Sequence, residues 1–114
     1  NNTVALILRQ NLTREDSERR RIEVTRNLIL IRLLLEVPSG SQESYKAILQ
    51  TAAGEELVST ENLKALNDNG AHFVLTNIPT KFLKRGDYQL RLIEISNGQA
   101  KDVGLYPFQI TTNR

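Results

Sequence analysis

A chain of 114 residues has room for one domain, residues 1–114, with a core of its own and a large wet surface. Fifteen Lys and Arg against thirteen Asp and Glu leave a net charge of +2, without the concentrated basic excess of a nucleic-acid binder, so no nucleic-acid partner is expected. The lack of cysteine excludes disulfides, thiolate metal ligands and a cysteine nucleophile, and is compatible with either side of a membrane.

Asn2 to Gln10 (NTVALILRQ) is rich in β-branched and aliphatic residues and has the length of one strand. Residues 11–21 (NLTREDSERRR) are polar, with no apolar face at helical spacing, and read as a solvated connection. From Ile22 the apolar pattern returns. In Leu28 to Val37 (LILIRLLLEV), Ile29, Ile31, Leu33, Leu35 and Val37 form one aliphatic face and Arg32 and Glu36 sit on the other. This predicts a central strand with one buried side. The run is half as long as a membrane-spanning helix, so no direct membrane insertion by this fragment is expected. The chain opens on NNTVALIL, as a mature form or an excised fragment does, without the features of a signal peptide.

Pro38-Ser39-Gly40-Ser41 then supplies turn chemistry. Tyr45, Ala47 and Leu49 alternate with Lys46 and Gln50 in a further strand with one wet side, ended by Ala53-Gly54, and Glu55 to Ser59 can pair back across that turn. Residues 60–70 (TENLKALNDNG) carry the only helical spacing, Leu63 and Leu66, in a stretch too short to be a stable helix alone. His72 to Ile78 reads as a strand with apolar residues on both faces, Phe73 and Leu75 on one and Val74 and Ile78 on the other, which leaves its inward side open. Tyr88, Leu90 and Leu92 alternate with Gln89 and Arg91, Asn97-Gly98 marks a turn with positive φ, and Tyr106, Phe108 and Ile110 form the inner face of a last strand. About seven short strands with turns between most of them predict an all-β, two-sheet antiparallel sandwich of the immunoglobulin or fibronectin III type.

Tyr88 stands two residues past a lone glycine, in FLKRGDYQL. In immunoglobulin-like and fibronectin type III sandwiches a tyrosine near the start of the sixth strand turns its hydroxyl back to the backbone a few residues upstream. Leu83, Gly86 and Tyr88 have the spacing of this corner: Leu83 to plug the end of the core, Gly86 to permit the reversal, and Tyr88 to bury its ring while its hydroxyl satisfies the loop backbone. The segments YKAILQTAAGEEL, FVLTNIPTKFLKRGDYQLRL and LYPFQI resemble fibronectin-like domains at the C-terminal, extracytoplasmic end of bacterial membrane-anchored proteins, including zinc-finger anti-sigma factors. The resemblance covers about two thirds of the chain, from Tyr45 onward, and rests on core and corner positions. It implies a periplasmic or cell-surface location and a transmembrane helix and cytoplasmic domain ahead of Asn1.

Arg85-Gly86-Asp87 is an integrin-recognition tripeptide, but it leads straight into a predicted strand and its glycine already has a structural task. His72 is the lone histidine, more often a packing or surface residue than a base, and too solitary for a zinc or copper site. Asp68 and the pair Glu55-Glu56 lack the multi-oxygen spacing of a calcium loop, and Asn67-Asp68-Asn69-Gly70 reads as a turn. Arg14, Arg19, Arg20, Arg21 and Arg26 form the densest basic cluster, blunted by Glu15, Asp16, Glu18 and Glu23. Asn1-Asn2-Thr3 and Asn11-Leu12-Thr13 match the glycosylation sequon, which matters only in a eukaryotic secretory setting. No catalytic or metal-ligating set, no cofactor and a protein partner are the expectations: a non-enzymatic extracytoplasmic interaction, sensing or spacer module, tethered or secreted. The competing reading is a carbohydrate-binding or accessory domain of a secreted enzyme, for which a chain with no Trp, three Tyr and three Phe is poorly equipped.

Overall fold

Period-two alternation drives most of this chain into strands whose apolar side has to be covered by a second layer. The computed structural model describes residues 2–9, 20–38 and 44–113. Within them lie β1 (Thr3–Leu8), β2 (Arg21–Thr25), β3 (Leu30–Val37), β4 (Ser44–Thr51), β5 (Glu56–Leu63), β6 (Ala65–Asp68), β7 (Ala71–Pro79), one 3₁₀ turn (Thr80–Phe82), β8 (Gly86–Ser96) and β9 (Gln99–Asn113). They build a four-stranded sheet, β1-β3-β7-β6, and a five-stranded sheet, β2-β9-β8-β4-β5. The fold is a two-sheet β-sandwich with nine strands among the described residues, where the alternation predicts about seven. Neighbouring strands are antiparallel except at one edge of each sheet, where β1 runs parallel to β3 and β2 parallel to β9.

The additional strands come from two places. Arg21, expected in the polar connection, opens β2, because Ile22 and Val24 bury themselves while Arg21, Glu23 and Thr25 face water. Residues 60–70 form no helix. Leu63 pairs with Tyr45 in the five-stranded sheet and Ala65 with Val74 in the four-stranded sheet, so one continuous stretch changes sheets at Lys64. Asn62, at φ 60°, sits where β5 carries one residue more than β4, a bulge that lets the strand swing across. Leu63 and Ala65 pack on the core while Leu66 is half exposed. Burial against two sheets thus overrides a weak three-residue spacing.

Ile31, Leu33, Leu35 and Val37 are buried as the alternation predicts, but Ile29 is 58% exposed and Leu28 is buried in its place. The reason is local. The strand begins only at Leu30, the Leu28 amide donates to the Thr25 carbonyl in a turn, and the Thr80 hydroxyl donates to the Leu28 carbonyl at 2.8 Å. In β7 the inward residues are Val74, Thr76 and Ile78, which leaves Phe73 and Leu75 on the outer side. Asn97-Gly98 and Asn69-Gly70 have positive φ at both positions and form the two-residue turns of the β8–β9 and β6–β7 hairpins. Of the predicted Pro38–Ser41 turn, Ser39, Gly40 and Ser41 lie outside the described residues.

Candidate functional site

Leu83, Gly86 and Tyr88 come together at the β7–β8 connection. Leu83 is buried and closes the 3₁₀ turn through its amide, which donates to the Thr80 carbonyl at 3.0 Å. Gly86, at φ 152°, takes a backbone conformation that L-residues rarely adopt. The Tyr88 hydroxyl accepts from the Lys84 amide at 2.7 Å and donates to the Lys84 carbonyl at 2.9 Å, while its ring stacks on Phe108 with centroids 5.8 Å apart. One side chain therefore satisfies both polar groups of a loop residue and fills the core beneath it. Arg85 and Asp87 are exposed, but Gly86 and Asp87 already pair with Ile110 and Gln109 in the β8–β9 ladder. The tripeptide is ladder backbone for two of its three residues.

The other residues singled out by type are spread over the molecule. His72 stands half-buried at the start of β7, between Val37 and Asn67. With Arg9 and Glu36 it lines an open cleft of about 510 Å³ at one end of the four-stranded sheet, where the Arg9 guanidinium donates to Glu36 at 3.1 Å. Glu55 and Glu56 are exposed at the β4–β5 turn, and the Gly70 amide donates to the Asn67 side chain in the turn that holds Asp68. Among the described residues no three His, Cys, Asp or Glu stand together where they could hold a metal ion. Arg14, Arg19 and the sequon Asn11-Leu12-Thr13 lie outside the described residues, as does Asn1; Arg21 is engaged with Gln109 at 2.9 Å. All three tyrosines and Phe108 are buried, so they present no ring to a sugar.

What distinguishes regions of this surface is the contrast between the two outer sheet faces. The outside of the five-stranded sheet carries polar side chains that bond across neighbouring strands, Gln89 donating to Gln50 at 2.8 Å and Arg91 forking onto Asp102 at 2.8 and 3.0 Å, with Ile48 and the exposed Leu105 as the apolar residues in register with Arg91. The Arg91 hydrogen bonds hold the Asp102 carboxyl below its ordinary range, and Asp102 in turn raises Arg91. A carboxyl depressed in the folded state stabilises above its unfolded pKa, about 3.9, and that contribution disappears as the pH falls through the folded value. Asp102→Asn is accordingly expected to lower the melting temperature slightly near neutrality, the effect being small because both groups are exposed, and the two melting temperatures should converge as the pH falls below about 4. Melts from acid to neutral pH check this.

The outside of the four-stranded sheet is different. Ile7, Leu34 and Leu75 lie in one registered row across β1, β3 and β7, and Phe73 and Leu66 are paired in the next row across β7 and β6. Ile7 is 40% and Leu66 50% exposed, and Leu34, Phe73 and Leu75 are half-buried. Arg32 and Glu36 border the stripe on β3, Arg32 donating to Asn77 at 3.3 Å. The row is contiguous across β1, β3 and β7 and bordered by charge on β3. Sequence reasoning passed over these residues, although the two-sided apolar character of His72–Ile78 and the even positions of LILIRLLLEV carried the signal.

No family model matches the chain, and no curated protein matches it. Among solved structures the chain is similar to the crystal structure of CopC from Methylosinus trichosporium OB3b, at 16% identity and a TM-score of 0.48, over 83% of this chain and 87% of that one.

Proposed function

We propose that this chain is a non-enzymatic extracytoplasmic interaction module of a larger bacterial membrane protein, a sensing or spacer domain of the kind that zinc-finger anti-sigma factors carry, with a protein as its partner. The observation that carries the interaction reading is the apolar row Ile7–Leu34–Leu75 with Phe73 and Leu66 on one outer sheet face, where the other outer face carries the Gln89–Gln50 and Arg91–Asp102 bonds. The corner at Leu83, Gly86 and Tyr88 has a structural part in this reading: it anchors the β7–β8 crossover and leaves the sheet face to do the binding. The location is supported by the resemblance of the segments from Tyr45 onward.

The lack of native cysteine in this chain makes the location directly measurable. Ser59 is exposed on β5, so the full-length protein in its host, with Ser59→Cys as its only cysteine exposed in this domain, should react with a membrane-impermeant maleimide in spheroplasts before lysis. Labelling that appears only after lysis places the domain on the cytoplasmic side and removes the extracytoplasmic reading.

A further inference from the structure

We propose that the outer face of the four-stranded sheet binds a second copy of this chain, sheet on sheet, about a two-fold axis running across the strands along the Ile7–Leu34–Leu75 row. The proposal rests on the reading of this face as an interaction surface and names its occupant. The charges flanking the row choose the partner and the direction of the axis. Arg32 and Glu36 lie two residues before and two residues after Leu34 on β3, on the same face and each about 7 Å from it along the strand.

Two copies related by an axis along the strands would set Arg32 against Arg32 and Glu36 against Glu36. An axis across the strands sets Arg32 of each copy over Glu36 of the other, twice by symmetry, while Ile7, Leu34 and Leu75 each meet their own counterparts. Face-packed sheets cross at about 30°, which moves partners 7 Å from the axis sideways by only about 3.5 Å, within reach of Arg and Glu side chains. Each group keeps capacity for this. The bond to Asn77 uses Nε of Arg32 and the bond to Arg9 uses Oε1 of Glu36, whereas a guanidinium has further donors and a carboxylate a second oxygen.

The size of the face sets the strength. The four strands, six, eight, nine and four residues long for β1, β3, β7 and β6 and about 4.8 Å apart, span at most about 430 Å² per copy. The buried total of at most about 900 Å² is below that of stable specific interfaces, so the dimer is a weak, reversible one that forms only at high concentration.

Sedimentation equilibrium of this chain up to about 500 μM should show a reversible monomer–dimer equilibrium. Arg32→Glu and Glu36→Arg should each weaken it about tenfold, more at low salt than at high. The double variant R32E/E36R should recover to within about threefold of wild type. A role inside one copy predicts the reverse, because the double variant loses both the Asn77 and the Arg9 bonds. A chain that stays monomeric throughout, a dimer unaffected by Leu34→Lys and Leu75→Lys, or a double variant weaker than either single one overturns the proposal. The charge pair keeps it testable if Leu34→Lys fails to fold. A photo-crosslinking residue at exposed Ile7, on the axis row, in the full-length protein separates the two readings. An adduct with itself supports the second copy. An adduct with a different protein, from a chain that is monomeric in solution, overturns the second copy and leaves the interaction surface standing. No adduct from a monomeric chain overturns both.

Discussion

Phe108→Ala is expected to lower the unfolding free energy by about 3–5 kcal/mol and the melting temperature by more than about 10 °C. Phe108 is 1% exposed in β9, the strand held between β2 and β8, and its ring lies on Tyr88 with planes 18° apart. Truncation removes a large apolar side chain from contact with both sheets and leaves a cavity that the rigid ladders on either side cannot close. It also takes away the ring that positions Tyr88. Urea unfolding followed by circular dichroism checks the magnitude, and a loss under about 1 kcal/mol would mean that the site collapses freely, against the packing described.

Tyr88→Phe is expected to cost about 1–3 kcal/mol, a fall of several degrees in melting temperature, at about 4 °C or more per kcal/mol. The ring and its stack remain, so the change isolates the hydroxyl. That hydroxyl meets the Lys84 amide and carbonyl at 2.7 and 2.9 Å, and deleting it leaves a part-buried donor and acceptor of one residue unanswered together. An unshifted melt would show that water replaces both bonds, and the corner would then contribute nothing to stability. Because Phe108 holds the ring that carries this hydroxyl, the two substitutions should be non-additive by at least about 0.5 kcal/mol in a double-mutant cycle. A cycle that closes additively would separate the stack from the hydrogen bonds.

Three strands of the five-stranded sheet, β4, β8 and β9, were legible from their residues. Tyr45, Ala47 and Leu49, then Tyr88, Leu90 and Leu92, then Tyr106, Phe108 and Ile110 alternate with mostly polar neighbours, and all nine are buried. A half-wet strand reports its inward side directly, because water selects the polar face.

Residues 60–70 show where local pattern stops being informative. Leu63 and Leu66 are three apart, and nothing in the stretch says that Leu63 belongs to one sheet and Ala65 to the other. Ile29 was misplaced because alternation gives the faces of a strand without its ends, and here the end is set by the bonds from Leu28 and Ile29 to Thr25, Thr80 and Asn2. By itself, then, the sequence determined an all-β sandwich and the inner faces of its amphipathic strands. Only the tertiary structure decided that Phe73, Leu75 and Leu34 face outward beside Ile7 and Leu66. A strand apolar on both sides has no preferred inward face of its own; register with β1, β3 and β6, and the one side that the second sheet can cover, make the choice.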